Sequence, residues 1–172
     1  MKGCVCVVDL IVFVIQFQYY ENLEEQMEDL TIKNIADIKG IVKEDTFTVK
    51  PVVIGNDVDT YEVSFVEIPP GKQSWPYHYH DQSEEVFYII SGQGKLRSHD
   101  GEKDVTAGDM ICFPTGKKGG HSILNTSESE TLVYVDLGVK AVKTDIITMP
   151  DDGVYELIGN HFDWTAVEIP KK

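Results

Sequence analysis

The chain has 172 residues, with 15 Lys and Arg against 29 Asp and Glu and a net charge of −14. That length suits one domain with a sizeable core, and 42% hydrophobic with 26% charged residues excludes a disordered or wholly membrane-embedded chain. No basic footprint is available to neutralise phosphates, so nucleic acid is excluded as a partner, and the acidity reads as solubility.

Residues 1–20, MKGCVCVVDLIVFVIQFQYY, are apolar and rich in β-branched and aromatic residues, but are broken by Asp9, Gln16 and Gln18. A spanning helix rarely carries an Asp, and no small-residue cleavage site marks a signal peptide. A weak anchor, a strand paired with a partner subunit and poorly structured upstream sequence all fit this segment. Residues 21–29, ENLEEQMED, read as an acidic helix or linker, and the pattern downstream needs nothing before Met27. Residues 1–29 are therefore expected to be an N-terminal extension, with no membrane partner.

From about residue 30 the chain reads as mostly β. A short helix or turn is expected within Thr31–Ile41. Thr46–Ile54 and Tyr61–Ile68 alternate and are β-branched, so both read as strands. Strands are also expected at Val86–Ser91, Lys95–Ser98, Met110–Phe113, Ser122–Leu124 and Thr131–Val135, with a hairpin signal at Asp100-Gly101. Short strands punctuated by turns at regular spacing predict a closed sandwich or barrel over residues 30–143. No internal repeat is found, so one barrel is expected, and residues 144–172 read as a C-terminal tail packing on it or on a neighbour. Three cysteines, Cys4, Cys6 and Cys112, make no disulfide framework. A reducing cytoplasm is the default, and Cys112 is expected to be a buried small hydrophobe.

Residues 71–92, GKQSWPYHYHDQSEEVFYIISG, carry the chemistry. His78 and His80 are two apart, so in a strand both imidazoles project to one face. Glu85 follows at the head of an apolar run, and adjacent Glu84 would then face solvent. A second segment, GDMICFPTGKKGGHSILN (108–125), brings His121. Imidazole with carboxylate suits a divalent first-row transition metal. Trp75 is placed at the pocket mouth, and Phe87 and Phe113 on an apolar wall. Lys117 and Lys118, beside Gly119-Gly120, are read as cations that draw an anion toward the metal, the glycines letting backbone approach a ligand. His99 sits exposed at a hairpin tip, and His161 lies in the tail. Tyr77 and Tyr79 should point away from the two histidines, toward barrel packing or a dimer face.

These two segments resemble the two signature motifs of the cupin superfamily. The first here is Gly71, six residues, His78-Tyr-His80, four residues, Glu85, six residues, Gly92. The second is Gly108, five residues, Pro114-Thr-Gly116, four residues, His121, three residues, Asn125. The departures are one extra residue after Gly71 and two before His121, both in loops. The resemblance implies an all-β double-stranded β-helix (jelly-roll) barrel, similar to small single-domain cupins that carry sugar-phosphate-isomerase labels. It implies His78, His80, Glu85 and His121 as ligands of one divalent metal: manganese, iron, nickel or zinc. It also implies a homodimer. The expected function is a metal-dependent enzyme of isomerase or epimerase type, acting on a small anionic or sugar-like metabolite. An iron-dependent dioxygenase and a non-catalytic metabolite-binding protein are the alternatives. No catalytic residue is assigned; Glu84 and His99 are candidates for proton transfer.

Overall fold

A computed structural model describes residues 32–43, 45–53, 60–139, 144–158 and 164–168. The expectations for residues 1–31 and for His161 lie outside these. Thirteen strands are described: β1 (Ile41–Lys43), β2 (Phe47–Val53), β3 (Tyr61–Ile68), β4 (Tyr79–His80), β5 (Glu84–Ser91), β6 (Gln93–Ser98), β7 (Gly101–Thr106), β8 (Met110–Phe113), β9 (His121–Asn125), β10 (Leu132–Val139), β11 (Asp145–Met149), β12 (Val154–Ile158) and β13 (Trp164–Glu168). Two 3₁₀ turns, Ile35–Asp37 and Lys117–Gly119, are the only helical elements among the described residues. The first falls within the short helix or turn expected at Thr31–Ile41, with Asn34 capping it through a side-chain bond from the Ala36 N–H.

The strands form three antiparallel sheets that build the double-stranded β-helix: a six-stranded sheet ordered β1-β2-β3-β10-β5-β8, a four-stranded sheet β13-β12-β11-β4 and a three-stranded sheet β7-β6-β9. Alternation explains the six-stranded wall. In β3, Val66 and Ile68 are buried while Glu67 between them is not, and in β5 Phe87 and Ile89 are buried while Tyr88 and Ile90 are exposed. The inward set, with Leu132 and Tyr134 of the neighbouring β10, meets Leu96 and Ile123 of the three-stranded sheet in one core cluster. Each such large side chain stabilises by roughly 1.5–3 kcal/mol relative to exposure. Phe87 is central: its ring lies 4.8 Å from Phe113 and 4.6 Å from Tyr134.

Alternation also corrects one expectation. Phe113 takes the inward position of β8, so Cys112 beside it points out and is exposed rather than buried. Strand β7 was not foreseen; it is highly charged, and only Val105 is buried. Between β5 and β6 the chain turns at Gly92, whose φ of +82° is costly for any residue with a Cβ. A Cβ there would also come within 2.8 Å of the Leu132 Cα and the Thr131 carbonyl oxygen. Asn125, fully buried, donates through Nδ2 to the carbonyls of Ile68 and Glu130 and accepts the Ser127 N–H at Oδ1. It ties the 126–131 loop to β3.

Candidate metal centre

The site forms where the three sheets meet. His80 ends β4, Glu85 is the second residue of β5, and His121 opens β9, so each sheet contributes one of these side chains. His78, just before β4, joins His121 in an isolated antiparallel bridge. The pair exchanges both backbone bonds, His78 N–H to His121 O at 3.1 Å and His121 N–H to His78 O at 2.9 Å. This brings the two rings to 4.6 Å, with the His80 ring 5.4 Å from that of His78. Ligand atoms of His78, His80 and Glu85 all lie within 4.8 Å of one another, a group that could hold a metal ion. The Glu85 Oε2 stands 3.5 Å from His80 Nε2 and 3.3 Å from His121 Nε2.

Every imidazole is held in one tautomer. Nδ1–H of His78 donates to the Pro76 carbonyl at 2.8 Å, and that of His121 to the Gly119 carbonyl at 2.8 Å. Nδ1–H of His80 donates to Asp145 Oδ2 at 2.6 Å. A proton fixed on Nδ1 leaves the lone pair on Nε2, and such outer bonds are how metal-binding histidines are oriented. Burial, then the neighbouring His80, lowers the pKa of His78 to about 4 despite the Pro76 carbonyl. Burial, then His78, lowers His121 well below the usual imidazole range. Both rings are therefore neutral donors at physiological pH. Burial works against protonating His80, but Asp145, Glu85 and Asp81 outweigh it and its pKa is raised. Burial pushes the Glu85 carboxyl up, with His80 opposing.

The donor set fits a divalent cation. His121 Nε2 and Glu85 Oε2 are buried without a hydrogen-bond partner among the described residues, which is costly unless something else pairs them. Imidazole nitrogen with a carboxylate oxygen matches borderline first-row ions.

Glu84 is exposed and Glu85 faces the histidines. Glu85→Gln should therefore lower metal content measured by elemental analysis, whereas Glu84→Gln should leave it unchanged; the reverse pattern would show a shifted register at the start of β5. Phe113 stacks on His121 at 3.9 Å and Phe87 meets it edge-on at 5.2 Å, so both wall the centre. Trp75 instead packs against the core, 4.5 Å from the Phe47 ring. Lys117 and Lys118 are exposed on the 3₁₀ turn, and His99 is exposed on its hairpin. The two glycines after the lysines have a different role from the expected close approach to a ligand. They sit against the chain itself, Gly119 against the Pro114 carbonyl and Gly120 against the Tyr77 phenol.

Two residues escaped sequence reasoning. Asp145, on β11, accepts His80 Nδ1–H, the Gln82 N–H at 2.8 Å and the Ile146 N–H at 2.9 Å. Burial alone would raise its pKa, but His80 and the Gln82 N–H lower it, so it is an anion facing that ring. Asp145→Asn keeps the shape and removes the charge; metal affinity in a chelator competition should fall about 10–100-fold, and an unchanged affinity would reduce Asp145 to a packing residue. Asp136 lies inward on β10, where burial and then Glu85 and Glu62 hold its carboxyl well above the usual range. Its one sequence signal is an acid inside the apolar run LVYVDLGV.

Residues 64–138 match the Cupin domain family. The chain carries a cupin domain. An 83-residue stretch is 36% identical to a probable oxalate decarboxylase of Arthroderma benhamiae; it is 45% of this chain and 20% of that protein. The chain thus matches about a fifth of the length of that curated relative. Among solved structures, a candidate sugar phosphate isomerase from Acidithiobacillus ferrooxidans is 26% identical with a TM-score of 0.65, covering 84% of this chain and 97% of its own. A cupin-superfamily sugar phosphate isomerase from Silicibacter pomeroyi shares the fold, at 19% identity and a TM-score of 0.68, covering 80% and 92%. No helix among the described residues of this cupin is long and apolar enough to cross a membrane.

Proposed function

We propose that this cupin is a metal-dependent enzyme of the isomerase or epimerase type, acting on a small anionic or sugar-like metabolite. The observation that carries the reading is the convergence of three tautomer-locked imidazoles, His78, His80 and His121, on the Glu85 carboxylate. These four side chains would hold one divalent cation. When bound, such an ion supplies Lewis acidity, polarising a carbonyl or hydroxyl oxygen of the substrate. Asp145 keeps the His80 ring in its donor orientation. Phe87 and Phe113 exclude water from one side of His121, which strengthens electrostatics within the pocket. The likeness to the Acidithiobacillus ferrooxidans protein, over 97% of its length, supports a phosphorylated sugar as the substrate class.

The test is proton exchange. Metal-loaded protein would be incubated with aldose and ketose phosphates in deuterated water and followed by NMR. Deuterium incorporation with interconversion is expected, lost after chelation. Saturable binding without exchange would identify a binding protein, and oxygen consumption would identify an oxygenase. A second reading, decarboxylation of a small dicarboxylate, is favoured by the 36% identity to the Arthroderma benhamiae protein; carbon dioxide release from oxalate in the same assay would replace the first reading.

A further inference from the structure

Tyr79 lies between His78 and His80, so alternation turns its side chain to the opposite face of β4. Across the ladder it pairs with Thr148 of β11. Together with Tyr77, Tyr155, His99 and Lys117, these two line a cavity of about 440 Å³ whose walls include none of the four candidate metal ligands. That volume is within the range of small-molecule sites.

Three observations give the cavity a chemistry. Thr148 is 5% exposed, and its hydroxyl has no hydrogen-bond partner among the described residues; a buried hydroxyl left so is costly. No carboxylate among the described residues lines the cavity, in a chain of net charge −14. Finally, the aromatic wall is braced. Arg97 lies over the Tyr77 ring, 4.1 Å from its centroid, and is itself paired with Asp151. Gly120 makes room for the same phenol, since a Cβ there would overlap it.

We propose that this cavity is a second small-molecule site, one that takes an organic anion carrying a ring. The ring lies against the tyrosines, the anionic group faces Lys117 and His99, and a polar atom of the ligand satisfies the Thr148 hydroxyl. Neither half suffices alone. An exposed lysine and imidazole hold a bare anion weakly in salt, and a neutral ring ignores the only cationic side of the wall. The proposal is independent of the function assigned to the metal centre.

The test uses phenyl phosphate as probe on zinc-loaded protein, followed by amide chemical shifts. Saturable shifts centred on Tyr77, Tyr79, Thr148 and Tyr155 are expected, with inorganic phosphate binding at least tenfold more weakly. Lys117→Ala and Thr148→Val should each raise the Kd at least threefold with zinc content unchanged. Lys117 is exposed, so its variant tests the site even where Thr148→Val disturbs folding. Shifts centred on His78, His80 and His121, no saturable shifts, equal affinity for inorganic phosphate, or an unaltered Kd in Lys117→Ala would each overturn the proposal.

Discussion

His80→Ala should bring metal content from about one ion per chain to background. The substitution removes one nitrogen donor and leaves two acidic neighbours without the ring that joins them: Asp145 at 2.6 Å and Glu85 at 3.5 Å. Those carboxylates then repel each other across a partly buried gap. Elemental analysis after desalting reads the loss directly, and far-ultraviolet circular dichroism confirms that the barrel has formed. A folded His80→Ala protein that retains full metal would show that the ion sits elsewhere.

Gly119→Ala should damage both the fold and the centre, although the substitution removes neither an acid nor a ligand. A Cβ at this position would overlap the Pro114 carbonyl oxygen, which is backbone and cannot swing aside. Forced movement of well-packed backbone costs about 1–3 kcal/mol or more, and each kcal/mol lowers Tm by about 2–4 °C in a chain of this size. The same displacement moves the Gly119 carbonyl, which fixes the His121 tautomer. A Tm fall of about 2–12 °C with weakened metal binding is therefore expected, while Lys118→Ala next to it should change neither. A Gly119→Ala protein with native Tm and native affinity would mean that the turn can relax freely.

Much of the six-stranded wall was legible because its strands obey a period of two over a full length. The run YEVSFVEI predicted β3 at its observed bounds, and MICF predicted β8. Several other strands were not. Strand β4 has two residues, too few for any periodicity, and β7 reads as a charged loop because water covers most of it. Strand β11 pairs along its length with β12 and, at Ile147 and Thr148, also with β4, more than 60 residues earlier. Local patterning carries no information about such a pairing. The same applies to the centre. The histidines and Glu85 stand in two compact segments whose spacing can be read directly. Asp145 is bonded to His80 from 65 residues away and carries no spacing signal of its own. The glycines before His121 were recognised as special, but a steric need within the chain and a need to admit a ligand look identical in sequence.

The donors of the centre come from all three sheets. An ion held there would work as a rivet through seams that otherwise rely on side-chain packing and a few backbone contacts. The unfolded chain does not present those four donors together, so binding favours the native state. The gain is about 4 kcal/mol when free metal exceeds its Kd a thousandfold, a sizeable share of the 5–15 kcal/mol typical of a whole domain. In a metal-starved cell the protein would then lose abundance as well as activity, because its unfolded fraction, and with it its exposure to proteases, would rise as the ion became scarce.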